Sequence, residues 1–259
     1  MRTLLLTFDV EEYPAKELRV PVSEDNAFLQ GDMGLSATLD LLERYGVRAT
    51  FFVTMEFASR MPKNVNRLVG DGHELAMHGL RHGDDYHSIP DETARMGLTT
   101  GRKEMERRFH SAVVGFRGPR MSRPPYHVLQ QCGFMYDSSL HPTLVPGRYN
   151  NLGSPRGIHR RDGIWVVPVS VVPGVRWPIS WSWKMLGRSY LLAASQLTLM
   201  KSDYLLVYFH PWEFAPPPAE LSGFFRRRMF GGTGHIRALE SLLKWSRDMM
   251  NGTIVEYLQ

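Results

Sequence analysis

The fold is decided near the amino terminus by the segment LLLTFDVEE, residues 4–12. Leu4–Phe8 is a short apolar run that predicts a buried β-strand. Because side chains alternate along a strand, Asp9 and Glu11 are predicted to share one face, with Val10 turned away. Two carboxylates then point into one site. For an isolated Asp-x-Glu pattern, the alternative that they cap a following turn stays open.

A helix and a second strand follow this segment. Leu35, Leu39 and Leu42 fall on one helix face, and Gly46 stands where a C-terminal cap is expected before the strand Ala49–Val53. The alternation continues along the chain. Further strands are predicted at His73–Met77, Val113–Arg117, Trp165–Val169, Leu205–Phe209 and Thr253–Tyr257, and helices at Asp91–Phe109, Pro125–Cys132, Arg188–Met200 and Ile236–Met250.

This alternation favours a parallel α/β architecture, and a barrel is the economical way to close so many strands. No repeat of fixed period and no interdomain linker interrupts the pattern, so a single domain over residues 1–259 is predicted. The loops Pro142–Gly157 and Pro211–Gly234 are longer than the usual connectors of about 4–6 residues. Long loops of this kind usually carry function.

Composition excludes several classes of protein. The chain has 259 residues, with 31 Lys and Arg against 26 Asp and Glu, a net charge of +5 and a pI near 9.4. This excess is mild, so nucleic-acid binding is not predicted. The single cysteine, Cys132, cannot form an internal disulfide. The apolar start is too short for a secretory signal and no window is long enough to span a membrane, which predicts a cytoplasmic protein without an integral membrane segment.

Two histidines form the second cluster of interest, in the segment GHELAMHGLRH, residues 72–82. His78 and His82 are four residues apart, a spacing that lets two imidazoles reach one metal ion, and Glu11 can supply the third ligand. Three protein ligands leave positions open for water and substrate. An accidental His-x-x-x-His remains the alternative in a chain with ten histidines.

Three further polar groups follow predicted strands, where α/β barrels keep their active sites. Arg117 comes just after an apolar strand and can orient a carboxylate, or it is a surface arginine in a turn. Asp137 belongs to a Tyr-Asp-Ser-Ser run that is also ordinary turn chemistry. His210 ends a strand with Trp212 nearby, which suits either proton exchange or a structural role.

Taken in this order, the five segments resemble the NodB-homology polysaccharide deacetylases of carbohydrate esterase family 4. The similarity runs from Thr7 to Glu213, and the opening TFDVE and the late YFHPWE resemble a branch associated with exopolysaccharide and O-antigen biosynthesis. The resemblance implies a distorted (β/α) barrel with about seven parallel strands, related to the TIM barrel. It also implies a divalent metal held by an acid and two histidines.

The resemblance assigns roles to individual residues. Asp9 resembles the catalytic base and Arg117 the arginine that positions it. His78 and His82 resemble the metal-binding histidines. Asp137 and His210 resemble the pair in which an aspartate tunes a histidine that acts as general acid.

The chain departs from the family pattern at two places. The usual first motif has two adjacent aspartates, whereas here Asp9 and Glu11 are separated by one residue; the shared strand face favours Glu11 over Glu12 as the metal ligand. The third motif usually ends in an aromatic residue, where this chain has Arg120. Its backbone N–H can still face an oxyanion, and its side chain is predicted to bind substrate, as is Trp212.

The implied reaction is hydrolysis of an N-acyl group from a sugar by a bound Zn²⁺, with Co²⁺, Ni²⁺ or Mn²⁺ as other possible ions. The expected partner is an N-acylated sugar or glycan precursor. Arg120 and the run Arg226–Arg228 suggest a substrate that is acidic or linked to a lipid or nucleotide, although the run can equally be a solvated loop face. Trp177, Trp181 and Trp183 are predicted to pack, with a sugar-stacking wall or a membrane contact as alternatives.

Two other functions remain in competition. An allantoinase-like amidohydrolase acting on a small cyclic amide can carry similar motifs. The metal-binding set Glu11, His78 and His82, combined with the pair Asp137 and His210, favours the metal-dependent sugar branch. A catalytically inactive carbohydrate-binding member of the same fold is the second alternative. Every expected catalytic position is filled, so no decay of the site is visible in the sequence.

Overall fold

The computed structural model describes residues 2–223 and 231–259, so the arginine run Arg226–Arg228 lies outside the described residues. The strands are β1 (Thr3–Val10), β2 (Thr50–Val53), β3 (Glu74–Met77), β4 (Gly115–Phe116), β5 (Tyr136–Asp137), β6 (Leu144–Val145), β7 (Tyr149–Asn150), β8 (His159–Arg161), β9 (Ile164–Val166), β10 (Tyr204–Phe209) and β11 (Met250–Asn251). The helices are α1 (Ala15–Leu18), α2 (Glu24–Tyr45), α3 (Met55–Arg60), α4 (Pro62–Gly70), α5 (Asp91–Phe109), α6 (Tyr126–Gln131), α7 (Trp183–Leu199), α8 (Thr233–Trp245) and α9 (Ile254–Leu258).

The main sheet runs in the order β10-β1-β2-β3-β4-β5-β9-β8. Each neighbouring pair from β10 to β9 is parallel, and β8 pairs antiparallel with β9 at the end of the sheet. The sheet curls into a half-barrel with helices around it. The predicted α/β class and the seven parallel strands of a distorted barrel are therefore confirmed.

Every residue of β1 is buried, as expected for a central strand of a parallel sheet covered on both faces. Helix α2 packs Leu35, Leu39 and Leu42 into the core and ends at Gly46, whose φ of 61° fits the predicted left-handed cap. Since apolar side chains at this spacing share one helix face, their burial fixes α2 against the sheet. No helix in the described part of the chain is long and apolar enough to cross a membrane.

The open side of the half-barrel, between β9 and β10, is bridged by irregular chain. The backbone N–H of Ser170 donates to the carbonyl of Leu206 at 2.9 Å, and the N–H of Leu206 donates to Oγ of Ser170 at 2.9 Å. The segment around Ser170 therefore lies alongside β10 and covers its free edge. The long loop predicted at Pro142–Gly157 contains the small antiparallel pair β6 and β7.

One predicted strand is wrong. The run Thr253–Tyr257 was expected to be a strand because it is apolar and β-branched, but Ile254–Leu258 is helix α9. Thr253 and Glu256 form a capping box, in which each side chain accepts a hydrogen bond from the other residue's backbone N–H. This local pairing outweighs the strand propensity, and β11, which pairs with β1, lies just before it.

Candidate active site

The polar residues predicted after the strands gather at the carboxyl edge of the sheet. They open into a cavity of about 830 Å³, within the usual range for small-ligand sites. Its lining includes Asp9, Glu11, His78, His82 and His210. Because parallel strands all end at this edge, residues far apart in sequence are brought to one place.

Glu11 stands at the centre of this group. Its Oε2 lies 3.4 Å from Nε2 of His78 and 2.5 Å from Nδ1 of His82, and its Oε1 lies 3.8 Å from Nε2 of His210. Burial alone raises the pKa of Glu11, but His82 and His78 outweigh it and hold the pKa well below its ordinary value. The carboxylate in contact with the histidines is thus that of Glu11, the residue favoured over Glu12.

The backbone of Arg117 fixes the ring of His78. Nδ1 of His78 lies 2.7 Å from the carbonyl oxygen of Arg117. Since a carbonyl only accepts, Nδ1 carries a proton, and Nε2 is the ring nitrogen that faces Glu11. An imidazole oriented in this way is arranged as metal-binding histidines usually are.

His82 stands between two carboxylates, because Nε2 lies 3.1 Å from Oε1 of Glu17 while Nδ1 faces Glu11. Burial lowers the pKa of His82, yet the attraction of Glu11 and Glu17 is larger and raises it above its ordinary value. The ring is therefore held as an imidazolium when only protein groups surround it.

A divalent metal can be tested against this donor set. Within the described residues, no three side chains already stand at metal-ligand spacing. The 2.5 Å between His82 and Glu11 is shorter than the roughly 3.3 Å expected between two atoms bound to one zinc ion, whereas the 3.4 Å to His78 matches it. Oε2 of Glu11 and Nδ1 of His82 are both buried and face each other. One carboxylate and two imidazoles are donors whose chemistry fits a zinc-like ion.

Asp9 is held by a buried arginine. Nη1 of Arg117 donates to Oδ1 of Asp9 at 2.7 Å and to Oγ1 of Thr7 at 2.9 Å. Its other nitrogens donate to the carbonyl oxygen and Oγ of Ser138 at 3.1 and 2.8 Å, and its guanidinium lies 4.2 Å from the centre of the Phe52 ring. Arg117 is fully buried, so this network fixes the position of the Asp9 carboxylate.

The partner of His210 differs from the prediction. Nδ1 of His210 lies 2.7 Å from Oε1 of Glu213, and the same oxygen lies 2.5 Å from Nζ of Lys184. Burial raises the pKa of Glu213, but Lys184 and His210 lower it to about 2. An ionised carboxylate only accepts, so Nδ1 of His210 is the donor and Nε2 faces the cavity. Glu213, and not Asp137, orients this histidine.

Asp137 has a different environment. It is fully buried, its Oδ1 accepts from Oγ of Ser139 at 2.5 Å, and its Oδ2 lies 3.7 Å from Nε of Arg123. Burial raises its pKa above the ordinary value. Ser139 also accepts from the backbone N–H of Gly118 at 2.9 Å. Through Ser139, Asp137 thus connects the loop that follows β5 with the loop that follows β4.

Arg120 and Trp212 both line the cavity but differ in exposure. Arg120 is exposed, has a φ of 53°, and donates from Nη2 to the carbonyl of Gly83 at 3.1 Å. Trp212 is 3% exposed, and its indole stacks on the His210 ring with centroids 5.0 Å apart. Trp212 thus supports the ring of His210, and substrate binding by Trp212 stays a prediction.

Sequence reasoning missed two glycines that bring α2 against the site. A Cβ on Gly31 would lie 2.6 Å from the carbonyl oxygen of Glu11, and one on Gly34 would lie 1.9 Å from that of Pro211. Glycine inside a helix costs about 0.5–1 kcal/mol relative to alanine, so two of them three residues apart indicate close backbone packing. Their spacing was the available signal for this contact.

Comparison with known proteins identifies relatives of this chain. A family model described as polysaccharide deacetylase matches residues 2–136. Chitooligosaccharide deacetylases from Bradyrhizobium sp. (strain ANU 289) and Sinorhizobium fredii (strain NBRC 101917 / NGR234) are 34% and 37% identical over 93 and 109 residues. These alignments cover 36% and 42% of this chain and 40% and 45% of the relatives, so the chain spans less than half of their length.

Solved structures show the same fold over nearly the whole chain. A protein from Mycobacterium smegmatis assigned as a polysaccharide deacetylase has a TM-score of 0.68 at 22% identity, and PuuE allantoinase has 0.64 at 15%. Each similarity covers 98% of this chain and 88% of the other. At such low identity these neighbours support the fold alone. The family model spans just over half of the sequence and includes Asp9, Glu11, His78, His82 and Arg117, and the chain therefore belongs to the polysaccharide deacetylase family.

Proposed function

We propose that the chain removes an N-acyl group, acetyl in the first instance, from a sugar of a surface polysaccharide or of its precursor, with the aid of a divalent metal. One observation carries this proposal: a buried carboxylate, Glu11, faces three histidines on the floor of a cavity that also holds the Asp9–Arg117 pair. Family membership and the chitooligosaccharide deacetylase relatives support the same reaction.

Glu11, His78 and His82 would hold the metal ion. When bound, such an ion polarises the acyl carbonyl oxygen and makes water at the site more acidic. Zinc suits a set of one carboxylate and two imidazoles, and cobalt, nickel or manganese can occupy similar sites. These three residues leave the cavity side of the site open to substrate.

Asp9 acts as the general base. Its carboxylate accepts a proton from the water that adds to the acyl carbon, and Arg117 keeps that carboxylate in place through the 2.7 Å hydrogen bond. The same arginine is anchored to Thr7 and Ser138. The base is therefore positioned by rigid strand ends.

His210 acts as the general acid. Its Nε2 faces the cavity and donates a proton to the sugar nitrogen as the carbon–nitrogen bond breaks, which leaves a free amine and a carboxylate product. Glu213 fixes the ring through Nδ1, and Lys184 keeps Glu213 ionised. Asp9 and His210 then exchange protons with solvent for the next turnover.

The substrate class rests on relatives and on the cavity. The curated relatives are named as chitooligosaccharide deacetylases, so N-acetylated oligosaccharides are the first substrates proposed here. A role in exopolysaccharide or O-antigen biosynthesis, and an acidic or lipid-linked sugar, extend this proposal. Family membership favours the deacetylase over a hydrolase of cyclic amides.

The experiment is a screen for released acyl groups. The purified chain is incubated with N-acetylated and N-formylated oligosaccharides and with allantoin, each with added Zn²⁺, Co²⁺, Ni²⁺ or Mn²⁺. The proposal expects acetate or formate together with an equal amount of new amine. The variant Asp9→Asn is the control for adventitious hydrolysis. Release that does not exceed this control with any metal, or preferential hydrolysis of allantoin, contradicts the proposal.

A further inference from the structure

A ring of exposed apolar side chains surrounds part of the cavity mouth. We name it the apolar lip, and it consists of Leu144, Leu152, Val175, Trp177 and Trp181. These side chains line the cavity and are between 40% and 71% exposed. Contiguous exposed apolar surface is uncommon on a protein unless it contacts a partner or a membrane.

The lip is held rigidly. The backbone N–H of Val172 donates to the carbonyl of Trp177 at 3.0 Å, which closes the loop that presents Val175. Nη1 of Arg176 donates to the carbonyl of Ser154 at 2.6 Å and links this loop to the chain that follows β7. The apolar side chains therefore point outward from an ordered support.

Two further exposed apolar side chains stand in the first turn of α7. Met185 and Leu186 are 59% and 56% exposed and come four and five residues after Trp181. Sugars are recognised by stacking on aromatic rings, whereas aliphatic side chains match lipid. Aliphatic residues predominate here, and Trp at the edge of an apolar surface is typical of membrane interfaces. Trp183 is buried and packs as predicted, whereas the packing predicted for Trp177 and Trp181 is wrong because both are exposed.

The same part of the chain is strongly basic. Residues 138–202 contain eight Lys or Arg and one acidic residue, Asp162, although the whole chain has 31 basic and 26 acidic residues. Among the described residues, Lys184 is the member of this set that pairs with a carboxylate. Arg148 and Arg176 line the cavity beside the lip. Hydrogen bonds to carbonyl groups leave their positive charge in place, and such charge attracts anionic lipid headgroups.

We propose that the apolar lip docks the chain onto a bilayer surface that carries anionic lipids, with the cavity mouth against the headgroups. Apolar side chains and Trp enter the interface while the flanking arginines meet the lipid phosphates. If the proposed deacetylation holds, its substrate is then a sugar presented at the membrane by a lipid anchor, and this last step rests on the proposed function.

Vesicle binding by the whole chain tests the docking without any substrate. Sedimentation with vesicles of equal parts phosphatidylglycerol and phosphatidylcholine is compared with vesicles of phosphatidylcholine alone. Binding to the anionic vesicles is expected to be about tenfold stronger and to weaken as salt screens the charges. Equal binding to both, or no binding to the anionic vesicles, overturns the proposal.

Variants locate the contact. The double variant Val175→Ser/Trp177→Ser and, separately, Met185→Ser/Leu186→Ser are each expected to weaken anionic-vesicle binding about tenfold. The matched control is Met33→Ser/Met96→Ser, which replaces side chains 56% and 60% exposed on α2 and α5 and is expected to bind as the wild type does. Docking to a membrane is contradicted if the control variant alone loses vesicle binding. It is also contradicted if the wild type forms a dimer that depends on the apolar lip and does not bind vesicles. Acyl release from soluble oligosaccharides, measured separately, reports on the proposed function whatever the vesicle result.

Discussion

The two sides of the cavity floor are built in different ways. On one side, Asp9 lies in β1 and Arg117 directly follows β4, and the two side chains meet at the carboxyl edge of the sheet. On the other side, His210 is oriented by Glu213 from the following turn and, through it, by Lys184 from α7. The first side is fixed by strand register, whereas the second depends on how helices pack against the sheet.

This difference separates the variants that remove chemical groups from those that move them. We call the side with Asp9 and Arg117 the strand-borne side, and the side with His210, Glu213 and Lys184 the helix-borne side. Replacement of a residue on the strand-borne side should abolish its chemical function without disturbing the fold. Replacement of a supporting residue on the helix-borne side should weaken catalysis by degrees.

The largest effect is expected from His78→Ala. It removes an imidazole that faces Glu11, so zinc binding measured by calorimetry and acyl release should both fall to background. His87→Ala is the matched control, because His87 is largely exposed and contacts Asp85 and Ser122 at the surface. Zinc affinity in His78→Ala equal to that of the control would exclude His78 as a ligand.

Asp9→Asn should separate catalysis from metal binding. Asparagine keeps the size of the side chain and an oxygen that accepts from Arg117, but it cannot take a proton from water. The turnover number is expected to fall by about 10²–10⁴-fold, the usual contribution of a general base, while zinc affinity stays within a few-fold. A turnover number near that of the wild type contradicts the assignment of Asp9.

Lys184→Met tests the helix-borne side. Loss of the cation leaves Glu213 paired with His210 alone, which loosens the orientation of the ring, and kcat is expected to fall by about 10–100-fold with little change in KM. Lys201→Met, an exposed residue just beyond the end of α7, is the control. Circular dichroism checks that both variants are folded. An unchanged kcat in the folded Lys184→Met protein shows that Glu213 orients His210 without the lysine.

A smaller effect is expected from Gly34→Ala. The new Cβ meets the carbonyl oxygen of Pro211 and must push it away, which shifts the neighbouring His210. Overpacking of this kind costs about 1–3 kcal/mol of unfolding free energy, measured by denaturant titration, and kcat should fall a few-fold. Gly70→Ala, at the end of α4 with open space around it, should lower neither quantity. Equal behaviour of the two variants contradicts close packing of α2 on the site.

The strand-borne side was largely predictable from the sequence. Alternation along β1 placed Asp9 and Glu11 on one face, and the four-residue spacing brought His78 and His82 to the same carboxylate. Alternating strands and helices also predicted the parallel sheet. These features depend on local periodicity, which a single sequence displays directly.

The helix-borne side was not predictable in the same way. Lys184 precedes Glu213 by a whole helix and strand, and only the packing of α7 brings the two together. A lysine inside a Trp-rich apolar stretch was the one signal of a buried ion pair. Asp137 was assigned to His210 by resemblance, but the nearer Glu213 takes that position.

The strand predicted at Thr253–Tyr257 was wrong because the apolar run suited a strand, while the helix start signalled by Thr253 and Glu256 was not recognised.

The cytoplasmic location, the single-domain organisation and the acidity of the substrate stay predictions.

Acyl release from an N-acetylated chitooligosaccharide, measured before and after removal of metal, tests whether the reaction needs a metal held by Glu11, His78 and His82. We expect release by the wild-type chain, loss after treatment with a chelator, and recovery when Zn²⁺ or another divalent ion is returned, with no recovery in His78→Ala. Release that persists at full rate in the chelated protein would contradict a metal held by Glu11, His78 and His82.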